Sequence, residues 1–179
     1  HLVLTPRVFQ DARGFFLESY SRERFREAGV GCEFVQDNHA FSRDKGVLRG
    51  LHFQAPPHAQ AKLVWVTRGA VFDVVVDLRA GSPVFGRWHG FLFTAQNYRR
   101  LFIPKGFAHG YVTLEPDTEF MYKVDAPYAP KSEGGLRWDD PDLGVKWPVA
   151  DVLLSDKDKT LPLWKDFVTP FVFDHTPNS

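Results

Sequence analysis

From Glu33 onward the chain alternates apolar and polar positions in short runs: EFVQDNHAF, VLRGLHFQ, KLVWVTRG, AVFDVVVDLR, RWHGFLFT, RRLFIP, HGYVTL and TEFMYKV. Each run is rich in β-branched and aromatic residues and is bounded by Gly, Pro, Asn or Asp, the composition of strands and turns. Strands at such regular spacing predict an all-β barrel or sandwich. In AVFDVVVDLR, residues Ala70, Phe72, Val74, Val76 and Leu78 share one face, and Asp73 and Asp77 fall on the other with Val71 and Val75. Acids on an otherwise apolar strand predict that this second side meets a pocket or water. Upstream, LVL and FFLESY read as extended segments around a turn at Asp11-Ala12-Arg13-Gly14. Between them and the first run, SRERFREA predicts a short helix, with Ser21 as N-cap and Gly29 as its stop. After Val124 the chain turns Pro-, Asp- and Trp-rich, which predicts a long connection draped over the strands. SDKDKTLPLWKDF predicts a short C-terminal helical segment, and the last dozen residues show no pattern. With no internal repeat and no linker, residues 1–179 read as one domain.

Composition narrows the class. Lys+Arg and Asp+Glu both number 22 in 179 residues, so no net charge draws the chain to nucleic acid or to a membrane surface, and any polyanion site must be a local cluster. A single cysteine, Cys32, excludes an intrachain disulfide and a Cys-based zinc cage, and agrees with a reducing compartment. No apolar run approaches the roughly 20 residues of a membrane span, and no signal-peptide pattern appears. The expectation is a cytoplasmic protein.

The candidate chemistry concentrates between Gly46 and Gly69 (GVLRGLHFQAPPHAQAKLVWVTRG) and in IPKGFAHG, Ile103 to Gly110. These stretches resemble the two motifs of the cupin jelly-roll barrel, with Gly46 to His52 and Pro104 to His109 at the motif spacing. Gln54 stands where a second histidine belongs, and Lys62 lies where the glutamate is expected. A catalytic divalent metal needs about three His or carboxylate ligands converging on an open position, and a lysine would repel it, so no metal is expected. His58, in a Pro-flanked turn, reads as facing solvent. Alternation puts His52 opposite its apolar neighbours Leu51 and Phe53, on one face with Gln54, and puts Gln36 and Asn38 on a common face of the preceding strand. Each has a plainer reading. A lone strand histidine is more often structural, a Gly-flanked His109 can satisfy its own turn, Tyr122 can be a barrel aromatic, and Arg13 a solvated turn charge. Their company favours a polar ligand site in a barrel mouth.

In order along the chain, FQDARGFFLESY, FVQDNHAFS, VLRGLHFQ, Gln60-Ala61-Lys62-Leu63-Val64, FDVVVDLR, GSPVFGRW, IPKGFAHG, FMYKVDAPYAPKSEGG and LSDKD resemble the dTDP-4-dehydrorhamnose 3,5-epimerase family over residues 4 to about 160. The resemblance implies a cupin jelly-roll homodimer that uses neither metal nor cofactor and acts on a dTDP-4-keto-6-deoxy sugar. Carried over by motif, His52 is the base, Asp158 its partner, Lys62 the donor to the enolate oxygen, and Tyr122 the acid on the opposite face of the sugar. His109 matches a second active-site histidine; beyond the resemblance, Asp73 is expected to support it from the barrel interior. Gln36, Asp37, Asn38, Arg49, Gln54, Glu133 and Lys157 match substrate-binding positions. Arg13, Phe16 and Glu18 match residues that reach the ligand from an N-terminal segment (1–30), swapped or neighbouring between subunits.

That inventory suits the reaction. In a 4-keto sugar the C–H bonds at C3 and C5 both lie beside the carbonyl, so removing either proton leaves charge on O4 for an ammonium to hold. Inversion then needs a proton returned from the other side. No hydride moves, and the chain has no dinucleotide fingerprint. The motifs leave open whether C3, C5 or both invert, a matter expected to rest on pocket shape around Phe107, Tyr111, Met121 and Trp138. The rival readings are a single-centre epimerase or 3,4-ketoisomerase of the same nucleotide sugar, a catalytically inactive nucleotide-sugar-binding cupin, and a metal-dependent cupin oxygenase.

Overall fold

The computed structural model of the protein describes residues 1–175. Its strands are β1 (Leu2–Leu4), β2 (Val8–Asp11), β3 (Gly14–Leu17), β4 (Gln36–Ser42), β5 (Leu48–Gln54), β6 (Lys62–Arg68), β7 (Ala70–Asp77), β8 (Arg79–Ala80), β9 (Trp88–Thr94), β10 (Arg100–Ile103), β11 (Phe107–Thr113), β12 (Thr118–Val124), β13 (Glu133–Gly135) and β14 (Phe171–Val172). Helix α1 (Arg22–Glu27) follows β3, and α2 (Asp156–Lys159) precedes β14. Two five-stranded antiparallel sheets carry the architecture, one in the order β1-β10-β6-β12-β4 and the other β13-β5-β11-β7-β9. From β4 to β7 and again from β9 to β12 the chain crosses from sheet to sheet at each step, the winding of a jelly roll.

Three apolar layers hold the sheets. Val64, Val66 and Phe120 of the first sheet meet Val71, Val75 and Tyr111 of the second between them. The outer face of the second sheet (Leu51, Val74, Val76, Leu78) is covered by Leu136, Leu143 and Phe171. The outer face of the first (Leu63, Trp65, Phe102) is covered by Val30, with Tyr20 and Phe25 packed against it. Strands buried on both faces need near-continuous apolar runs, which is why KLVWV and VFDVVVD barely alternate. The acid-bearing side of β7 turns toward the space between the sheets, and there Asp73 and Asp77 are fully buried, the first bonded to His109 of the cavity wall and the second to Arg79 and Ser82.

Local sequence explains most boundaries. Ser21 caps α1 by accepting from Arg24 N, and Gly29 follows at φ +103°, a conformation glycine adopts without strain. Arg13 N donates to Asp11 Oδ1 in the β2–β3 turn. The run from Glu33 becomes strand only at Gln36. The C-terminal helix is a single turn ending at Lys159, because Pro162 cannot continue it, and a 3₁₀ turn (Trp164–Asp166) takes up the rest. The draped connection supplies β13, and the stretch read as patternless supplies β14, pairing parallel with β8. The final residues of that stretch, 176–179, lie outside the described residues.

One irregularity positions the site. β11 runs against β5 with His109 opposite His52, yet Tyr111 pairs with Arg49, so one extra residue is accommodated on β5. Gly50 and Gly110 permit this close approach: a Cβ at Gly50 would lie 2.6 Å from Gly110 Cα, and one at Gly110 2.8 Å from Arg49 O. A bulge re-aims side chains. Arg49 and His52, three positions apart, consequently face the same side.

Candidate active site

Between the two five-stranded sheets opens a cavity of about 480 Å³. Its β5–β11 wall presents Arg49, His52, His109 and Tyr111, and the facing wall presents Lys62 of β6 with Phe120 and Tyr122 of β12. The third side is the segment 153–158, which carries Ser155, Lys157 and Asp158. That segment is pinned to the start of β5: Leu153 N donates to Gly46 O at 2.8 Å, and Leu48 N donates to Leu153 O at 2.9 Å.

Pinning the segment delivers Asp158, the buried residue of α2, to His52. His52 Nε2 and Asp158 Oδ1 are 2.6 Å apart, and Asp158 Oδ2 accepts from Gly50 N at 3.1 Å. Burial alone would raise the Asp158 carboxyl, but the His52 hydrogen bond and charge, with the Gly50 N–H and Lys157, hold it below its ordinary value. The cross-strand neighbour repeats the arrangement, with His109 Nε2 2.8 Å from Asp73 Oδ2. Burial raises the Asp73 carboxyl, opposed by His109 and Lys62.

Lys62 has no carboxylate at ion-pair distance among the described residues; its ammonium lies 5.8 Å from the centre of the Tyr122 ring. Burial lowers it from 10.5 to about 8, with Asp73 and Glu133 drawing it back up. Burial likewise raises the Tyr122 phenol, against Asn38 and Arg49. Beside α2, Lys157 Nζ lies 2.5 Å from Glu133 Oε2, which also accepts from the Tyr128 hydroxyl at 3.0 Å. No group of three or more His, Cys, Asp or Glu among the described residues is placed to hold a metal ion.

Seven of the residues singled out in the sequence therefore line one cavity: Arg49, His52, Lys62, His109, Tyr122, Lys157 and Asp158. Glu133 touches it through Lys157. Gln36 and Asn38 share a face, Gln36 Nε2 donating to Asn38 Oδ1 at 2.9 Å, and Asn38 is the cross-strand partner of Tyr122. The others lie elsewhere. Asp37 is out of phase with them and pairs with Lys123 at 2.8 Å. Gln54 spends its amide on backbone, donating to His58 O and Pro127 O and accepting from Ala129 N, so it fixes the turn after β5. Arg13 and Phe16 belong to the β2–β3 hairpin around a separate hollow of about 320 Å³, and Glu18 pairs with Arg24 at 3.5 Å. Of the four residues expected to shape the pocket, only Tyr111 lines it. Phe107 is in the inter-sheet core, Met121 packs on the outer face of the first sheet, and Trp138 lies in another hollow beside Trp147. Sequence reading missed the segment 153–155 and Tyr128. The run VLLSDKD looks like any short apolar stretch before a helix, and only its pairing with Gly46 and Leu48 puts it on the rim.

The family profile described as dTDP-4-dehydrorhamnose 3,5-epimerase matches residues 1–166. The chain belongs to the dTDP-4-dehydrorhamnose 3,5-epimerase family. A Shigella flexneri member of that name is 52% identical over 158 residues, covering 88% of this chain and 87% of its own. The crystal structure of a member from Bacillus anthracis, with TDP and PPi bound, is 51% identical with a TM-score of 0.89 and covers 90% of this chain and 92% of its own. A Legionella pneumophila dTDP-6-deoxy-D-glucose-3,5-epimerase in complex with dTDP-4-keto-L-rhamnose is 43% identical with a TM-score of 0.92, covering 96% of this chain and 93% of its own. Similarity across nearly the whole length of each chain gives the epimerase family and the jelly-roll fold together.

The contact between His52 and Asp158 is open to a test of stability in this epimerase-family chain. The Asp158 carboxyl sits below its ordinary 3.8 in the folded state, so the stability it contributes is complete above that value and disappears as pH falls through the lower, folded one. Urea unfolding should find Asp158→Asn less stable than the native chain at about pH 5–7, with the difference closing below about pH 4. A difference that stays constant down to acid unfolding would contradict the charge-based account.

Proposed function

We propose that the chain epimerises dTDP-4-keto-6-deoxy-D-glucose at C3 and C5 to dTDP-4-keto-L-rhamnose by removing and returning protons beside the C4 ketone. The observation that carries this reading is the division of chemistry between the two sheets. An imidazole bonded to a carboxylate stands on one wall, and an ammonium without an ion-pair partner among the described residues stands with a phenol on the other. The family names, the TDP bound in one similar structure and the dTDP-4-keto-L-rhamnose bound in another support the substrate class.

In this reading Asp158 holds the Nε2–H of His52, which leaves Nδ1 to take the proton from the substrate carbon. The Lys62 ammonium meets the negative charge that develops on O4. A preorganised donor of this kind is worth about 2.7–4 kcal/mol of transition-state stabilisation. Tyr122, kept protonated by burial, returns a proton to the opposite face of the ring. His109, held by Asp73, is a second polar contact on the wall of His52. Arg49 and Lys157 suit the diphosphate, with Glu133 orienting Lys157 and with Gln36 and Asn38 at the edge of the same wall as Tyr122. The subunits pair as a homodimer, with Arg13, Phe16 and Glu18 completing the partner's site. The exposed aromatic face of the hairpin, with Phe9, Phe15 and Phe16 at 51%, 59% and 71% exposure, is the observation that motivates this. A solution mass of a single 20.5 kDa chain by light scattering would exclude it.

Proton exchange in D₂O tests the reading directly. With dTDP-4-keto-6-deoxyglucose, deuterium should enter at both C3 and C5; label at one carbon makes it a single-centre enzyme, and label at neither refutes the activity. His52→Ala should abolish exchange at both carbons. Tyr122→Phe should retain exchange better than net inversion, because abstraction does not use the phenol, and equal loss of the two would count against opposite-face delivery.

Lys62 must be charged to hold O4, so kcat should fall as pH rises through about 8, the value burial gives its ammonium. Lys62→Met should lower kcat by about 10²–10³-fold and remove that alkaline limb. An unchanged limb in the variant would assign it to another group.

A further inference from the structure

Two buried side-chain polar atoms among the described residues have no hydrogen-bond partner, the Tyr111 hydroxyl and Asp73 Oδ1. They belong to cross-strand partners on β11 and β7, on the face turned toward the inter-sheet space. Tyr111 is 5% exposed and forms part of the cavity wall. Its ring stacks on Phe120 with centroids 4.0 Å apart and planes 16° from parallel. Phenylalanine would make that stack equally well without burying an unpaired oxygen, an arrangement that costs stability. The hydroxyl is thus unexplained by the core that encloses it. It lies within electrostatic range of Arg49, Tyr122 and Asp73, and burial raises its phenol well above the ordinary value, so it remains an O–H donor.

We propose that the Tyr111 hydroxyl is a specificity-determining contact for the sugar, taking a ring hydroxyl at C2 or C3 of the substrate. A sugar hydroxyl both donates and accepts, and it matches a phenol on the cavity wall whose cross-strand neighbour, the buried Asp73, also leaves a carboxylate oxygen unpartnered. This assignment rests on the epimerase reading and deepens it. The sugar is sorted at the floor of the cavity by whether it carries that hydroxyl, while His52, Lys62 and Tyr122 handle the protons.

The test compares deuterium entry at C5 for the parent dTDP-4-keto-6-deoxyglucose and for its 2-deoxy and 3-deoxy analogues, with the native chain and with Tyr111→Phe. In the native chain one analogue should show kcat/KM lowered by about tenfold, the size of one lost hydrogen bond at the upper end. In Tyr111→Phe that penalty should vanish, while the parent substrate loses a similar factor, chiefly in KM. Thermal unfolding of the variant is followed alongside. If Tyr111→Phe alters stability but leaves both analogue penalties as they were, the hydroxyl serves an internal water or the core alone and the proposal is overturned. Equal rates for all three sugars in the native chain overturn it as well. Absence of C5 exchange with the parent sugar would instead overturn the epimerase reading and this assignment with it.

Discussion

An ammonium enclosed between two sheets, with no carboxylate paired to it among the described residues, is the constraint that the rest of the structure accommodates. Removing such a charge from water is costly, and a buried partner would repay it only by neutralising the charge. In this chain the acid that acts most strongly on it, Asp73, is already committed to His109 at 2.8 Å, so it stabilises Lys62 through its field without quenching it. The result is a donor that stays available to a ligand oxygen. Holding it there requires walls that do not relax, and apolar packing on both faces of β6 and β7 supplies them.

The second requirement is that proton carriers stand on opposing surfaces. A sandwich provides this when each sheet contributes its own group, and the crossing order of the strands does so: β5 and β11 bring the imidazoles, β6 and β12 the ammonium and the phenol. The extra residue on β5 turns Arg49 to the same side as His52, and the pinned segment 153–158 closes the remaining side with Asp158. Glycine at 50 and 110 is a condition of this geometry, since a side chain at either would collide with backbone.

Much of this was legible in the sequence. The eight alternating runs marked the strands of both large sheets except the short edges, Ser21 and Gly29 marked α1, and the ordered motifs gave the family. What escaped did so for physical reasons. Strict alternation puts Arg49 opposite His52, and a bulge cannot be read from period two. The same alternation groups Gln54 with His52, but neighbouring loop carbonyls capture its amide. Asp73 and Asp77 were expected to face a pocket or water because acids are rarely fully buried; both are buried, and their partners His109 and Arg79 make that tolerable. β13 and β14 are two or three residues long and carry Gly or sit beside Pro, so their pairing comes from tertiary docking and not from local propensity. Phe107, Met121 and Trp138 were expected around the pocket; the first two are drawn instead into packing elsewhere, and Trp138 lines a separate hollow.

The most direct measurement of the central claim is an NMR titration of the Lys62 side chain in protein carrying labelled lysine, assigned by comparison with Lys62→Met. The account expects the ammonium to lose its proton near pH 8, far below the 10.5 of a lysine in water. A midpoint at the ordinary value would mean that the charge is solvated, and the cavity would then lack the fixed donor on which the proposed chemistry depends.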